Sequence, residues 1–200
     1  MTLRQAGMVR HLRQAEWLTR RRARAYCRIL AVVPAAVSAA WIGMALLHGG
    51  IDFSGHPIAP DFAPYWTAAK LALSDTPGAA YDPATHYARE RELFGGASLG
   101  GPTPFVYPPL FLLVCLPFAM LPYAAALAAW LGLTAAGYWR SVRAIWPRTG
   151  LALPVLVYPG LLVNLLNGQN GLLSAALFAV AALQLDRRPM VAGACFGCLA

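Results

Sequence analysis

The chain of 200 residues is 58% hydrophobic and only 12% charged. Soluble domains average about 25% charged residues, so this composition excludes an ordinary soluble domain and indicates a membrane protein. Much of the net charge of +8 lies in front of an apolar run, whereas a nucleic-acid binder needs a basic face on a folded domain. We therefore expect a membrane as partner and no nucleic acid.

The N-terminal part predicts a basic cytoplasmic segment followed by a membrane anchor. Residues 1–28 contain eight arginines and one glutamate, and residues 29–47 contain no charge, with Pro34 in the first turns of the run. Basic residues flank membrane spans on the cytoplasmic side, so the N-terminus is expected in the cytoplasm. A cleaved signal peptide is the alternative, but the run is long and no small-x-small site precedes His48.

Residues 29–200 predict an all-α polytopic membrane domain. Two further charge-free runs cover residues 105–139 and 149–185. Because a spanning helix needs roughly 20 apolar residues, the chain is expected to make about four or five passes. It ends within an apolar segment, GACFGCLA, so we expect the natural chain to continue and this part to be N-terminal. The expected location is the plasma or inner membrane, with several passes.

Residues 48–104 predict a long loop on the outer side. Its six acidic residues outnumber three basic ones, which favours the side opposite the cytoplasm. Apolar residues at helical spacing predict one amphipathic helix that starts near Asp61 and a second that starts at Asp82-Pro83. Loops of this length usually carry function.

Prolines leave two topologies open for the next apolar run. Two spans, 106–121 and 123–139, would put the following basic residues outside, against the positive-inside rule. Alternatively, residues 108–121 form a short helix at the outer face and only 123–139 cross the membrane. We favour this second topology because every basic cluster then lies in the cytoplasm.

Cysteines and histidines give no strong indication of a metal site. Cys195 and Cys198 have the CxxC spacing of zinc or redox sites. They fall in an apolar segment rich in glycine and alanine, where small packing residues are the expected role. The histidines show no metal-ligand spacing, so we expect no metal and no other cofactor.

The stretch DFAPYW contains the candidate catalytic acid, Asp61. It follows the first apolar run, next to Tyr65 and Trp66, which are typical of a membrane interface. One interpretation is a helix N-cap. The other is a general base at the water–lipid boundary, close to a lipid-borne substrate. Asp52 is the rival carboxylate, nearer the membrane end but without the surrounding motif.

Polar residues in the apolar half of the chain suggest binding positions. Amides at membrane depth are costly unless they pair or line a wet cavity. Asn167 and Gln169 in NLLNGQNG could therefore hydrogen-bond sugar hydroxyls or a phosphate, with an ordinary polar turn as the alternative. Lys70 could attract a phosphate, extend its amine to water or pair with an acid.

Three ordered blocks resemble glycosyltransferase family 87. They are DFAPYWTAAKLAL with AAYDP, FVYPPLFLLVCLPFAMLP with AAWLGL, and NGQNGLLSAALFAVAAL, and the resemblance extends over residues 61–200. The family consists of polytopic enzymes of the GT-C class, including polyprenyl-phosphate-mannose-dependent α-mannosyltransferases of the cell envelope. The resemblance implies a GT-C-like helical bundle that transfers mannose from a polyprenyl-phosphate donor to a lipid or glycan acceptor on the outer face.

The resemblance also implies roles for residues. GT-C enzymes carry a catalytic aspartate in the first outer loop, which makes Asp61 the general base of an inverting transfer. Asp82 in YDP would shape the loop as a turn or cap, and the basic residue at the leaving phosphate would lie beyond residue 200. The candidate substrate-binding residues are Tyr65, Lys70, Tyr107, Asn167 and Gln169.

Two other classes of protein stay open at this point. A transporter or flippase fragment would be expected to carry broken helices and charges within its spans, and the apolar runs contain no acid or base. A membrane subunit without catalytic activity would tolerate the replacement of Asp61. Neither class explains a large acidic outer loop with amphipathic helices.

Overall fold

The computed structural model describes residues 18–48, 51–52, 56–96, 101–147 and 152–199. In chain order their α-helices are α1 (Arg20–Leu47), α2 (Ala63–Ala72), α3 (Pro83–Leu93), α4 (Pro109–Cys115), α5 (Tyr123–Ile145), α6 (Ala152–Leu156), α7 (Pro159–Asn167), α8 (Gly171–Gln184) and α9 (Pro189–Gly197). Two 3₁₀ helices, Pro77–Tyr81 and Leu116–Met120, precede α3 and follow α4. The all-α expectation is confirmed over these ranges, where strand pairing is limited to one isolated bridge between Ile51 and Pro57.

Helix α1 contains the predicted anchor. Its segment Arg21–Trp41 is long and apolar enough to cross a membrane, and it is the one such helix in the described ranges. The helix begins well before residue 29, where Thr19 accepts a hydrogen bond from the Arg22 N–H at 3.3 Å. Pro34 consequently lies inside the helix, and its expected position in the first turns is wrong. The first 17 residues of the basic segment lie outside the described ranges.

The buried core lies in the predicted outer loop and the helices that follow it. Helix α2 is buried on nearly all sides and packs against α3, α4 and both 3₁₀ helices. Phe62, just before α2, contacts the rings of Tyr65, Phe118, Tyr123 and Trp130 at centroid distances of 5.8 to 6.3 Å. Each such pair adds about 0.5–1.5 kcal/mol beyond area burial, so the loop is a folded unit built on the start of α5.

The second predicted loop helix is confirmed, together with its start signal. Asp82 is the N-cap of α3, and its carboxylate accepts a hydrogen bond from the Thr85 N–H at 2.7 Å. Hydrogen bonding to Thr85 lowers the pKa of the Asp82 carboxyl below its ordinary value. Pro83 is the first helical residue, where a missing N–H costs nothing.

The segment 109–120 is short, as the favoured topology expects. Helix α4 and the 3₁₀ helix after it extend about 20 Å, at rises of about 1.5 and 2.0 Å per residue, whereas the bilayer core is about 30 Å thick. The expected span 123–139 lies within α5, which continues to Ile145. Its other end, at Tyr123, bonds through the side-chain hydroxyl to the carbonyl of Ile58 at 2.5 Å.

The later apolar run is divided more than its composition predicts. The favoured topology expects one pass over 151–166. The helix is instead broken between Leu156 and Pro159, since proline supplies no backbone N–H to continue α6. Helix α8 has 14 residues, fewer than a full span. It packs against α5, where Gly137 faces Ala176 closely. Several membrane passes therefore stay a prediction.

Two buried titratable side chains of α3 face the loop core. Glu90 is 1% exposed and His86 is fully buried. Thr103 donates a hydrogen bond to the Glu90 carboxyl at 2.7 Å, and the His86 ring lies 3.2 Å from the Pro64 carbonyl oxygen. Burial raises the pKa of Glu90 to about 7, although the Thr103 bond opposes the shift. Burial lowers the pKa of His86 below its usual value.

We expect the Glu90 shift to make the loop less stable as pH rises. A carboxyl whose folded pKa lies above its unfolded value binds more protons in the folded state, so stability is lost from about pH 4.5 to about pH 7. The slope is at most about 1.4 kcal/mol per pH unit for one proton. The measurement is the free energy of unfolding of wild type minus that of Glu90→Gln across this window. The lowered pKa of His86 makes stability fall at low pH instead, but His86 is present in both proteins, so its contribution cancels in the difference. A difference in unfolding free energy that does not change with pH would contradict the prediction.

Candidate functional site

Asp61 lies in a tight turn immediately before α2. The turn is closed by a hydrogen bond from the Phe62 N–H to the Ala59 carbonyl at 2.9 Å, and Ala59 has a φ of 57°. Helix α2 begins at Ala63 with no side-chain cap. The interpretation of Asp61 as an N-cap is therefore wrong, because the turn brings the chain into the helix without one.

The backbone of Asp61 is bound to the turn between α7 and α8. Its N–H donates a hydrogen bond to the carbonyl of Asn167 at 3.0 Å. The side-chain amide of Asn167 donates to the Val163 carbonyl at 2.9 Å, one turn back in α7. The structure thus brings together two residues that the sequence singled out in separate motifs, although the contact is made through their backbones.

The Asp61 carboxylate is half-buried and available for chemistry. Across the described ranges it has no hydrogen-bond or salt-bridge partner. It lies near Tyr65, whose hydroxyl has a pKa raised above the ordinary value by burial first, then by the Tyr107 hydroxyl, and then by the Asp61 charge. A carboxylate with free lone pairs beside a hydroxyl that stays protonated can accept a proton from a bound substrate.

Tyr65 and Tyr107 form a hydroxyl pair beside this carboxylate. Their oxygens are 2.9 Å apart and their rings meet edge to face at 5.1 Å. Tyr107, on the segment before α4, also lines a cleft of mixed polarity with Asn170 and Ser174 of α8 and its preceding turn. The cleft is lined by α4, α8 and the end of α9, and Tyr65 of α2 is connected to it through the Tyr107 hydroxyl.

Gln169 contributes its backbone to the turn. Its N–H donates to the Asn164 carbonyl at 3.0 Å. With its side-chain amide oriented to suit both neighbours, Asn164 donates to the Gln169 carbonyl at 3.1 Å and accepts from the Gly171 N–H at 2.9 Å. Asn164, which is 5% exposed, was not among the binding residues predicted from the sequence. Its position one turn before Asn167, in an otherwise apolar helix, was the available signal.

Lys70 is not brought to the Asp61 carboxylate. It lies about two turns further along α2, and its amine donates to the Ala119 carbonyl at 3.1 Å. The amine also sits 4.6 Å from the centre of the Trp66 ring, a favourable cation–π distance. A phosphate-binding role would require Lys70 to leave these two partners.

Asp52 helps to close a short loop after α1. Its carboxylate accepts from the His56 N–H at 2.9 Å, and its own N–H donates to the His56 carbonyl at 2.8 Å. This structural use distinguishes Asp52 from Asp61. Within the described ranges no cluster of three or more histidine, cysteine or acidic side chains could hold a metal ion.

Comparison with known proteins shows that part of the chain is similar to one class of protein, the glycosyltransferases. The model of glycosyltransferase family 87 matches residues 105–200, nearly half of the chain, and this match confirms the predicted family resemblance for the two blocks from Phe105 onward. The first block, DFAPYWTAAKLAL with AAYDP, lies outside the matched residues. The matched part contains Tyr107 and the turn that binds the Asp61 backbone. No curated protein and no solved structure matches the chain.

Proposed function

We propose that this protein transfers a sugar, mannose in the first instance, from a polyprenyl-phosphate donor to a lipid or glycan acceptor. The observation that supports the proposal best is the position of Asp61. Its carboxylate is free among the described residues, and its backbone is bonded to Asn167 in the segment that matches family 87. The proposal thus rests on an acid whose backbone is hydrogen-bonded to the part of the chain that matches the family.

The proposed reaction is a single displacement with inversion. Asp61 accepts the proton of the acceptor hydroxyl while that oxygen attacks the anomeric carbon, and the bond from this carbon to the phosphate oxygen breaks. Polyprenyl phosphate leaves as an anion and needs no strong general acid. General-base assistance supplies about 10²–10⁴-fold in rate, and holding donor and acceptor in one cleft supplies much of the remainder.

Neighbouring residues have proposed roles in binding. The Tyr65–Tyr107 hydroxyl pair offers a donor and acceptors for a sugar hydroxyl beside Asp61. Asn167 and Gln169 lie at the turn between α7 and α8, and their side chains would bind the sugar or phosphate of the donor. Lys70 would contribute only if a phosphate drew it from the Ala119 carbonyl. The chemistry requires no metal or cofactor.

The proposed location is the cell membrane, with several passes and the catalytic loop on the outer face. Apolar side chains of α1, including Ile29, Val32 and Val33, are more than 60% exposed, which favours lipid or further helices around them. Arginines at the start of α1 favour a cytoplasmic N-terminus. A lipid-linked donor at the interface would then reach Asp61 from the bilayer.

The donor class is tested with purified full-length protein in liposomes. Radiolabelled polyprenyl-phosphate mannose and radiolabelled GDP-mannose are offered in parallel, with a lipid and glycan extract of the source membranes as acceptor. Purification matters because whole membranes could convert one donor into the other. We expect label to move from the lipid-linked donor alone. Transfer from GDP-mannose alone, or from neither donor, would contradict the proposed function.

A further inference from the structure

The turn that binds Asp61 contains a glycine at its closest point of approach. Gly168 follows the last residue of α7 with a φ of 70°, a left-handed conformation that non-glycine residues adopt at a cost. Its carbonyl accepts a hydrogen bond from the indole N–H of Trp130 at 3.1 Å. The preceding carbonyl, of Asn167, accepts from the Asp61 N–H. Two consecutive carbonyls of the turn between α7 and α8 thus accept hydrogen bonds from α5 and from the Asp61 turn.

No side chain fits at this position. A Cβ on Gly168 would lie 2.7 Å from the Cβ of Phe62 and 2.8 Å from that of Ala59, well inside van der Waals contact. Both neighbours belong to the hydrogen-bonded turn that contains Asp61, and Phe62 stacks on Trp130 at 5.8 Å. Relief of the clash would therefore require the turn to move away from the glycine.

We propose that Gly168, held by Trp130, is a positioning residue that sets where the Asp61 turn lies. The catalytic consequence rests on the proposed function, whereas the positioning itself does not. An added methyl group would displace the turn that carries Asp61, without changing the Asp61 carboxylate itself. A misplacement of about 1 Å can lower catalysis about 100-fold.

The positioning is tested first without any activity measurement. In the full-length protein, every native cysteine is replaced, including Cys27, Cys115, Cys195 and Cys198, and Asp61→Cys supplies the one thiol. We expect Gly168→Ala to raise the rate of thiol labelling by a maleimide several-fold. Gly132→Ala in α5 is the matched control, because a Cβ there meets nothing within 4 Å, and it should leave the rate unchanged. Equal labelling rates in all three proteins would overturn the inference.

The link to Asp61 is tested by a double-mutant cycle in the transfer assay. Gly168→Ala should lower kcat about 100-fold, and it should cost nothing further in kcat in an Asp61→Asn background. An equal loss in both backgrounds would show that the turn does not act through Asp61, and would overturn the catalytic link. If Asp61→Asn alone kept full transfer, the proposed function would fail, while the labelling result would still decide the positioning.

A milder variant covers the case in which Gly168→Ala does not fold. Trp130→Phe keeps an aromatic ring but removes the indole N–H that bonds to the Gly168 carbonyl. We expect Trp130→Phe to raise the labelling rate of the thiol at position 61, by less than Gly168→Ala does. An unchanged labelling rate in a Trp130→Phe protein present at wild-type levels would count against the inference.

Discussion

Replacement of Asp61 by asparagine should lower sugar transfer by about 10²–10⁴-fold, the usual contribution of a general base. Asparagine keeps the size of the side chain and the backbone hydrogen bond to the Asn167 carbonyl, but it cannot take up the acceptor proton. Because the carboxylate has no partner within the described ranges, its loss should leave folding intact. The measurement is the initial rate of transfer at matched protein levels in liposomes.

Two neighbouring acids serve as controls for this result. Asp52→Asn weakens a loop closed on His56, and Asp75→Asn changes an exposed residue after α2. Both variants should retain transfer within a few-fold of wild type. If Asp61→Asn retained wild-type transfer and Asp52→Asn lost it, the base would be Asp52, and the assignment of Asp61 would be wrong.

The second large effect is expected from Phe62→Ala, on stability. Phe62 is 1% exposed and touches four aromatic rings of the loop core. Truncation of such a buried ring typically costs about 3–5 kcal/mol, through lost transfer free energy and the remaining cavity. We expect a lower free energy of unfolding in detergent and a loss of the loop's tertiary packing. The measurement is unfolding monitored by Trp fluorescence.

The matched control is Leu73→Ala at the end of α2, where the side chain is 54% exposed. We expect a change of about 0.5 kcal/mol or less there, as for most surface positions. A Phe62→Ala protein as stable as Leu73→Ala would mean that the aromatic core does not hold the loop together.

Local signals in the sequence predicted the loop helices well. Proline and aspartate at Asp82-Pro83 gave the start of α3 correctly, since capping depends on neighbouring residues. The same logic failed at Asp61, where the chain enters α2 from a turn stabilised by the distant Asn167. Residues so far apart in sequence leave no local pattern, so their contact could be seen only in the fold.

The burial of Glu90 in α3 could not be predicted from the sequence. Glu90 belongs to the charged run ARERE, yet it is buried against Thr103 and its pKa is raised to about 7 by burial. Periodicity reports which positions are apolar and does not report a polar side chain that the fold encloses. Gly168 was likewise indistinguishable from any turn glycine until its neighbours, Phe62 and Ala59, were known.

Helix lengths in the apolar half were also set by tertiary context. The sequence predicted a pass over 151–166 and a turn at 167–170. The turn lies between Asn167 and Gly171 as predicted, but the pass is divided before Pro159. Two carbonyl groups at the turn accept hydrogen bonds from elsewhere in the fold: that of Asn167 from the Asp61 N–H, and that of Gly168 from the Trp130 indole N–H. The turn at Gly168, which ends α7, therefore also provides the hydrogen bonds that connect it to the candidate site.

The most direct test of the central claim, single-displacement sugar transfer assisted by Asp61, is the anomeric configuration of the product. The full-length wild-type protein is supplied with polyprenyl-phosphate mannose of known configuration, and the new glycosidic bond is assigned by NMR. Attack of the acceptor oxygen opposite the leaving phosphate predicts inverted configuration. Retained configuration would require a covalent or dissociated intermediate and would contradict the account.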